Sequence, residues 1–204
     1  MASGKFINLM VQIIVFVVIV IVLSMSSHTR KNYTNKVVLV GMDGLSSSSL
    51  RNTSLPGFST LKNRSVYSLD VTTDDINLSG PNWVGILSGK NSHASGVHNN
   101  ICRKPKVRTL FDMFSNAVYT QWSIIRCYTG TSEYVYEHSS STDPNKMLTI
   151  LNSSARFIFI HIDKLDSVGH AFGGNTEEYE SALKFLDHVF LQPIINHILS
   201  LIHI

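Results

Sequence analysis

"KVVLVGMDGL", Lys36 to Leu45, is the stretch on which the fold turns. Val37 to Val40 is a continuous apolar run rich in β-branched residues. It has no polar alternation, so it predicts a strand covered on both faces, as in a parallel sheet. Gly41 and Gly44 bracket Asp43, so the strand ends in a loop that carries a carboxylate. Ligands of open α/β sheets gather outside the carboxyl ends of the strands. An aspartate there is also a common turn former, so Asp43 alone carries little.

A second apolar run, "RFIFIHID" from Arg156 to Asp163, predicts a second buried strand. Between and around these two, "SVYSLDVTT" (65–73) and "VYTQWSIIR" (118–126) read as further strands. "LPGFSTLKN" (55–63) reads as a short helix entered through a proline, and Pro81 to Ser88 as a helix with proline in its first turn. "VRTLFDMFSN" (107–116) has the pattern of an amphipathic helix with Leu110, Phe111 and Phe114 inward. Thr129 to Asn145 is Ser/Thr/Gly/Asp-rich and reads as a long loop. "NTEEYESALKFLDHVFLQPIINHIL" (175–199) is helical. Thr176 is placed to cap it, Glu177 and Glu178 suit its first turn, and Tyr179, Leu183, Leu186 and Phe190 recur at helical spacing. Pro193 should break or kink it. Strands alternating with helices give the fold class: α/β, with a mostly parallel central sheet flanked by helices.

The chain has 204 residues, 44% hydrophobic content and a formal charge of +3. This suits one domain with a sizeable core. The basic residues form no stripe interleaved with aromatics, so no nucleic-acid-binding surface is indicated. Leu9 to Met25 is almost wholly apolar, has no polar face and comes before the first domain signal, which argues against a buried core helix. Residues 9–26 are read as an uncleaved transmembrane signal anchor, preceded by a short tail (1–8) and followed by a linker (27–36). A signal peptide cleaved near Ser24-Met25-Ser26 is the alternative. Asn32, Asn52, Asn63 and Asn152 begin glycosylation sequons, which fits a domain exposed to the secretory lumen or the cell exterior. Cys102 and Cys127 either pair in that oxidising setting or remain two buried thiols.

Three clusters can carry chemistry. Asp43 is the first. The second is Ser79 with Asn82 in "SGPNW", at the doorway of the predicted helix. The third is "DKLDSVGHAFGG" (163–174), where Asp166 and His170 are four residues apart. On a helix that spacing puts both side chains on one face, where a carboxylate oxygen and an imidazole nitrogen can share a divalent cation, zinc above all. Each has a plainer reading: a serine before Gly-Pro is more often a helix cap, and short motifs recur by chance. Their joint placement at strand ends and helix starts is what sets them apart.

Taken in order, "VVLVGMDGL", "SGPNWVGILSGKNSHASGVHNN" and "HIDKLDSVGHAFGGNTEEYESALKFLD" resemble the successive motifs of the type I phosphodiesterase/nucleotide pyrophosphatase family, within the alkaline phosphatase superfamily. The resemblance runs over most of Val37 to Asp187 and implies an alkaline phosphatase-like fold with a two-zinc site. Asp43 then resembles a strand-end ligand. Ser79 resembles the nucleophile, which also touches the metal bound by Asp43, and Asn82 resembles a donor to a phosphoryl oxygen. Asp166 and His170 resemble ligands of the other metal. The chemistry agrees: a metal against the serine oxygen stabilises its alkoxide, and two cations about 4 Å apart can hold attacking and leaving oxygens in line. The amides of a helix opening at Gly-Pro would face the phosphate.

The resemblance also implies a later Asp-His pair and a distal histidine. Neither is found before Ile204, so 37–204 is read as the N-terminal part of the domain, with an under-ligated metal pair. Asp187 and His188 lie inside a helical pattern and are read as structural. His197 and His203 are read as solvated or packed, and His93 and His98 as shaping a loop at the rim. Trp83 stands where a sulfatase needs arginine, which argues against that branch. The expected function is metal-dependent hydrolysis of a small-molecule phosphodiester or pyrophosphate through a serine intermediate. The alternatives are an inactive membrane-tethered homologue, or a phosphomonoesterase or phosphotransferase on the same scaffold.

Overall fold

The computed structural model describes residues 36–130, 133–138, 140 and 143–202. The apolar segment 9–26 and the Asn32 sequon lie outside them. Among the described residues, no helix is long and apolar enough to cross a membrane.

Four parallel strands form the sheet in the order β1-β4-β2-β3: β1 (Val37–Met42), β2 (Asn116–Thr120), β3 (Glu133–Tyr136) and β4 (Phe157–Ile162). The strand covered on both faces is β4, all six of whose residues are buried. It pairs with β1 on one side, Val37 opposite Phe157 through Met42 opposite Ile162, and with β2 on the other. The alternation of the pleat then separates two cores. Ile158, Ile160 and Ile162 join Ala117 and Tyr119 on one face; Phe157 and Phe159 join Val118 on the other. Among the described residues β1 pairs only with β4, and its Val37 is exposed, so the first strand is less enclosed than its apolar run suggests.

The helices in chain order are α1 (Ser47–Asn52), α2 (Pro56–Lys62), α3 (Ser79–Ser88), α4 (Ser92–Ser95), α5 (Pro144–Leu151), α6 (Lys164–Phe172), α7 (Glu177–Leu186) and α8 (Gln192–Ile202). Met147 of α5, Leu165 of α6, Leu183 of α7 and Ile194 of α8 fill the isoleucine face. Trp83, Val84 and Leu87 of α3 cover the phenylalanine face together with Phe111, Ile125 and Tyr128. The side chain of Thr176 accepts the Tyr179 N–H and caps α7, as its position predicts.

Several expected elements differ. Residues 65–73 form no strand: Val66, Tyr67 and Val71 are exposed, so the segment has no apolar face to bury, and its Asp70 pairs with Arg51 at the surface. The helix expected over 107–116 shrinks to a 3-10 turn at Leu110–Asp112, whose Asp112 carboxylate takes the Thr109 N–H at 2.7 Å. Phe111 is buried, but Phe114 is exposed. The strand expected over 118–126 ends at Thr120, because the Thr120 hydroxyl turns the chain by binding both the N–H and the carbonyl of Trp122, and Ser123–Tyr128 then coils as a 3-10 helix. The expected loop 129–145 contains β3, paired with β2. The predicted break at Pro193 is a wide π turn, Asp187–Leu191, leading into α8; the wider register makes room for a ring that has no N–H and would crowd a regular turn.

Asp187 is buried, and its role is structural as expected. Its two oxygens accept the Gly57 and Phe58 N–H groups, each at 2.9 Å, and so cap α2, whose own N-cap residue Leu55 offers no side-chain bond. Cys102 and Cys127 form a disulfide, which settles the choice between pairing and free thiols.

Candidate active site

Asp43 leaves β1 with its N–H still on the last rung of the ladder, donating to the Ile162 carbonyl at 2.8 Å. Gly44 then takes a left-handed φ of 70°. A side chain there would place its Cβ 2.6 Å from the Asp166 Cα, so the loop is pressed against the start of α6. The Tyr179 hydroxyl locks the same loop from α7: it donates to the Gly44 carbonyl at 2.6 Å and accepts the Ser46 N–H at 3.0 Å. A glycine and a tyrosine more than a hundred residues apart thus bring Asp43 and Asp166 to one place.

The Asp43 carboxylate is the hub of that place. Its Oδ1 accepts the Ser79 hydroxyl at 3.3 Å and its Oδ2 the Trp83 indole N–H at 2.8 Å, with His161 Nε2 3.6 Å from Oδ2. The side chain is only 14% exposed. Burial pushes its pKa up, but the neighbouring His161 and the bonds from Trp83 and Ser79 outweigh that and hold it below the ordinary 3.8. Trp83 reaches Asp43 because residue 41 is glycine: a Cβ at Gly41 would fall 2.2 Å from the indole ring.

Ser79 is the first residue of α3, two residues earlier than the Pro81 start read from the sequence. The helix end offers fewer free donors than the sequence suggests. The Gly80 N–H is bound to Asn100 Oδ1 at 2.8 Å, and Pro81 has none. Asn82 holds the approach to the helix: its Nδ2 donates to the carbonyls of Ile76 and Leu78 at 2.9 and 2.8 Å, and its Oδ1 accepts the Asp74 N–H at 2.9 Å.

Asp166 and His170 share one face of α6, with Oδ2 and Nε2 3.5 Å apart, the outcome of their i, i+4 spacing. Burial raises the Asp166 pKa, and the negative charge of Asp43 raises it further, so the two carboxylates sense each other. His170 is open to solvent at the mouth of a cleft of about 360 Å³ lined by Gly44, Ser46, Asp166, Asn175 and Tyr179 among others. His93 and His98 are exposed in and after α4.

His161, Asp163 and Trp83 also belong to this cluster, and the sequence reading did not find them there. One ligand atom each from Asp43, His161 and Asp163 lie within 4.8 Å of one another. That set of two carboxylates and an imidazole suits a divalent cation. His161 Nε2 is buried with no hydrogen-bond partner, an arrangement that a bound cation would satisfy. The only signal in the sequence was position: His161 and Asp163 sit at the carboxyl end of the most buried strand.

A model of the type I phosphodiesterase/nucleotide pyrophosphatase family matches residues 37–139. No curated protein matches the chain in sequence. Among solved structures, human ectonucleotide pyrophosphatase/phosphodiesterase 5 superimposes with a TM-score of 0.69 at 16% identity, over 81% of this chain and 52% of that one. The murine protein gives 0.67 at 16% identity over 79% and 52%. An inactive threonine-to-alanine variant of it in complex with AMP gives 0.63 at 18% identity over the same shares. These likenesses establish the alkaline phosphatase-like fold, and the chain spans about half the length of the structures it matches. With its motifs in order on this parallel sheet and half its length matched by the family model, the chain belongs to the type I phosphodiesterase/nucleotide pyrophosphatase family.

Proposed function

We propose that the chain contributes the nucleophile half of a metal-dependent hydrolase site that cleaves a phosphodiester or pyrophosphate bond in a nucleotide-like small molecule. The observation that carries the reading is the contact of Ser79 Oγ with Asp43 Oδ1, at a strand end that Asp166 also adjoins. The AMP complex of the murine relative supports a nucleotide-like substrate.

Asp43 orients the Ser79 hydroxyl, which releases its proton to solvent as its oxygen attacks phosphorus. The leaving group departs on the opposite side with the bonding electrons, and water then cleaves the phosphoryl-serine ester and restores the hydroxyl. Asp43, Ser79 and the Asp166–His170 pair would hold the divalent cations, which supply charge neutralisation and a more acidic hydroxyl when bound. Carboxylate and imidazole donors favour zinc. Asn82 serves the phosphoryl oxygen by swinging its amide off the Ile76 and Leu78 carbonyls; until then it holds the approach to α3.

The test is hydrolysis of a p-nitrophenyl phosphodiester by the full chain with zinc. Activity should require the metal and fall by at least about 10³-fold in Ser79→Ala, the scale of losing a covalent nucleophile. Equal turnover by that variant removes Ser79 from the mechanism, and no turnover by the zinc-loaded chain favours an inactive homologue. We further propose that the domain faces the secretory lumen or cell exterior, tethered by residues 9–26. The disulfide supports this, as does the exposure of Asn52, Asn63 and Asn152. The chain should stay in the membrane pellet on carbonate extraction, and its release would instead mark a cleaved leader.

A further inference from the structure

We propose that His161 is itself a metal ligand: its Nε2, with the carboxylates of Asp43 and Asp163, forms a divalent-cation site at the carboxyl end of β4. This deepens the metal reading given above and rests on it, but it does not rest on hydrolysis.

The tautomer follows from the hydroxyl of Thr120. That hydroxyl donates its one hydrogen to the Trp122 carbonyl at 3.0 Å and accepts the Trp122 N–H at 3.0 Å. What remains at its oxygen is a lone pair, and His161 Nδ1 lies 3.2 Å away. With that hydrogen on the Trp122 carbonyl, Nδ1 is the ring's donor, and a neutral imidazole then carries its bare lone pair on Nε2. That lone pair is buried, has no hydrogen-bond partner, and lies 3.6 Å from the negatively charged Oδ2 of Asp43. Two electron-rich atoms do not face each other at this distance unless a cation or a proton sits between them.

The ring cannot easily turn away. Trp83 meets it edge to face with centroids 4.9 Å apart, and Trp122 lies 6.2 Å away. Asp163 supplies the third donor, with its carboxylate fixed by the Ser167 hydroxyl at 2.9 Å and its N–H on Gln121 Oε1 at 3.1 Å. An imidazole whose distal nitrogen is held by a hydroxyl, beside carboxylates that are themselves hydrogen-bonded, is the arrangement that orients ligands around a metal.

The competing occupant is a proton, which would make His161 an imidazolium paired with Asp43. Long-range ¹H–¹⁵N spectra of the ¹⁵N-histidine-labelled full chain, titrated with zinc, separate the two. The expected result is one buried Nδ1–H ring whose Nε2 resonance moves saturably with zinc, and in ¹¹³Cd-loaded protein couples to cadmium. By calorimetry, His161→Gln should weaken zinc binding about tenfold or more, the range seen even for outer partners of a metal site. An Nε2 that stays protonated in zinc excess, or affinity unchanged in a folded His161→Gln, overturns the proposal. The native-protein spectra decide alone if that variant does not fold. Zinc on His161 without turnover would sink the hydrolase reading and leave this one standing; turnover with an unmoved His161 ring would do the reverse.

Discussion

Trp83 shows how one side chain in a helix can tune a carboxylate on a strand. Among the described residues its indole N–H makes the shortest hydrogen bond to the Asp43 carboxylate, and its ring fills the space left by the missing Cβ of Gly41. Trp83→Phe keeps the ring and removes the donor. It should cost about 1.5 kcal/mol in urea unfolding, the low end for a bond to a charged group, because Ser79 still donates to Asp43. An unchanged midpoint would show that the indole N–H holds nothing. At this scale the sequence was informative where a residue ends an element. Asp43, Ser79, Asp166 and His170 all sit at strand or helix ends, where side-chain chemistry is not consumed by packing, and the fold brings them to one sheet edge. Trp83 escaped notice because it lies inside a helix, and His161, next to the end of β4, because it continues that strand's buried run, where an aromatic ring reads as core. Asn82 was legible only through the family resemblance, which implies a donor to a phosphoryl oxygen; in the structure its amide holds the loop ahead of α3.

At the scale of elements, long apolar runs and capped helices were legible, and segments fixed by single tertiary bonds were not. β4 and α7 follow directly from apolar continuity and a threonine cap. β3 did not, because a short strand on the sheet border needs little apolar content and takes its order from β2. What ties β2, β3 and α5 together is Glu137, only 1% of whose side chain is exposed. It accepts the Tyr119 hydroxyl at 2.7 Å, the Asp143 N–H at 3.0 Å and the Lys146 ammonium at 3.0 Å. Burial pushes the Glu137 pKa up, but these three donors outweigh it and hold it below the ordinary 4.5. A carboxyl that binds its proton less readily when folded favours folding above 4.5, and that gain is lost as pH falls through the lowered value. Glu137→Gln should therefore cost about 1–2 kcal/mol at pH 7, where hydrogen bonds are lost. The penalty should shrink below pH 4.5, and chemical unfolding at both pH values measures it. A penalty independent of pH would mean that the charge is not what holds the strands.

For the molecule as a whole, the phenylalanine face of the sheet is closed by segments with little regular structure. The chain after α4 runs irregularly from Gly96 to Thr109, yet its Asn100 supports the first turn of α3 at Gly80. The disulfide from Cys102 to Cys127 spans 25 residues and pins this segment to the 3-10 helix that buries Ile125 and Tyr128 beside Trp83. Closing a loop of that size removes unfolded-state entropy worth about 3 kcal/mol. A double Cys102→Ser, Cys127→Ser variant, or the reduced protein, should lose about that much in urea unfolding. Because Asn100 lies two residues from Cys102, the loss should extend to the site. Amide hydrogen exchange should quicken at Gly80 and around Trp83, and should stay unchanged in α7, which packs on the far face of the sheet. Equal slowing or quickening on both faces would show that the bridge acts only through global stability, and unchanged exchange at Gly80 would separate it from the doorway of Ser79 altogether.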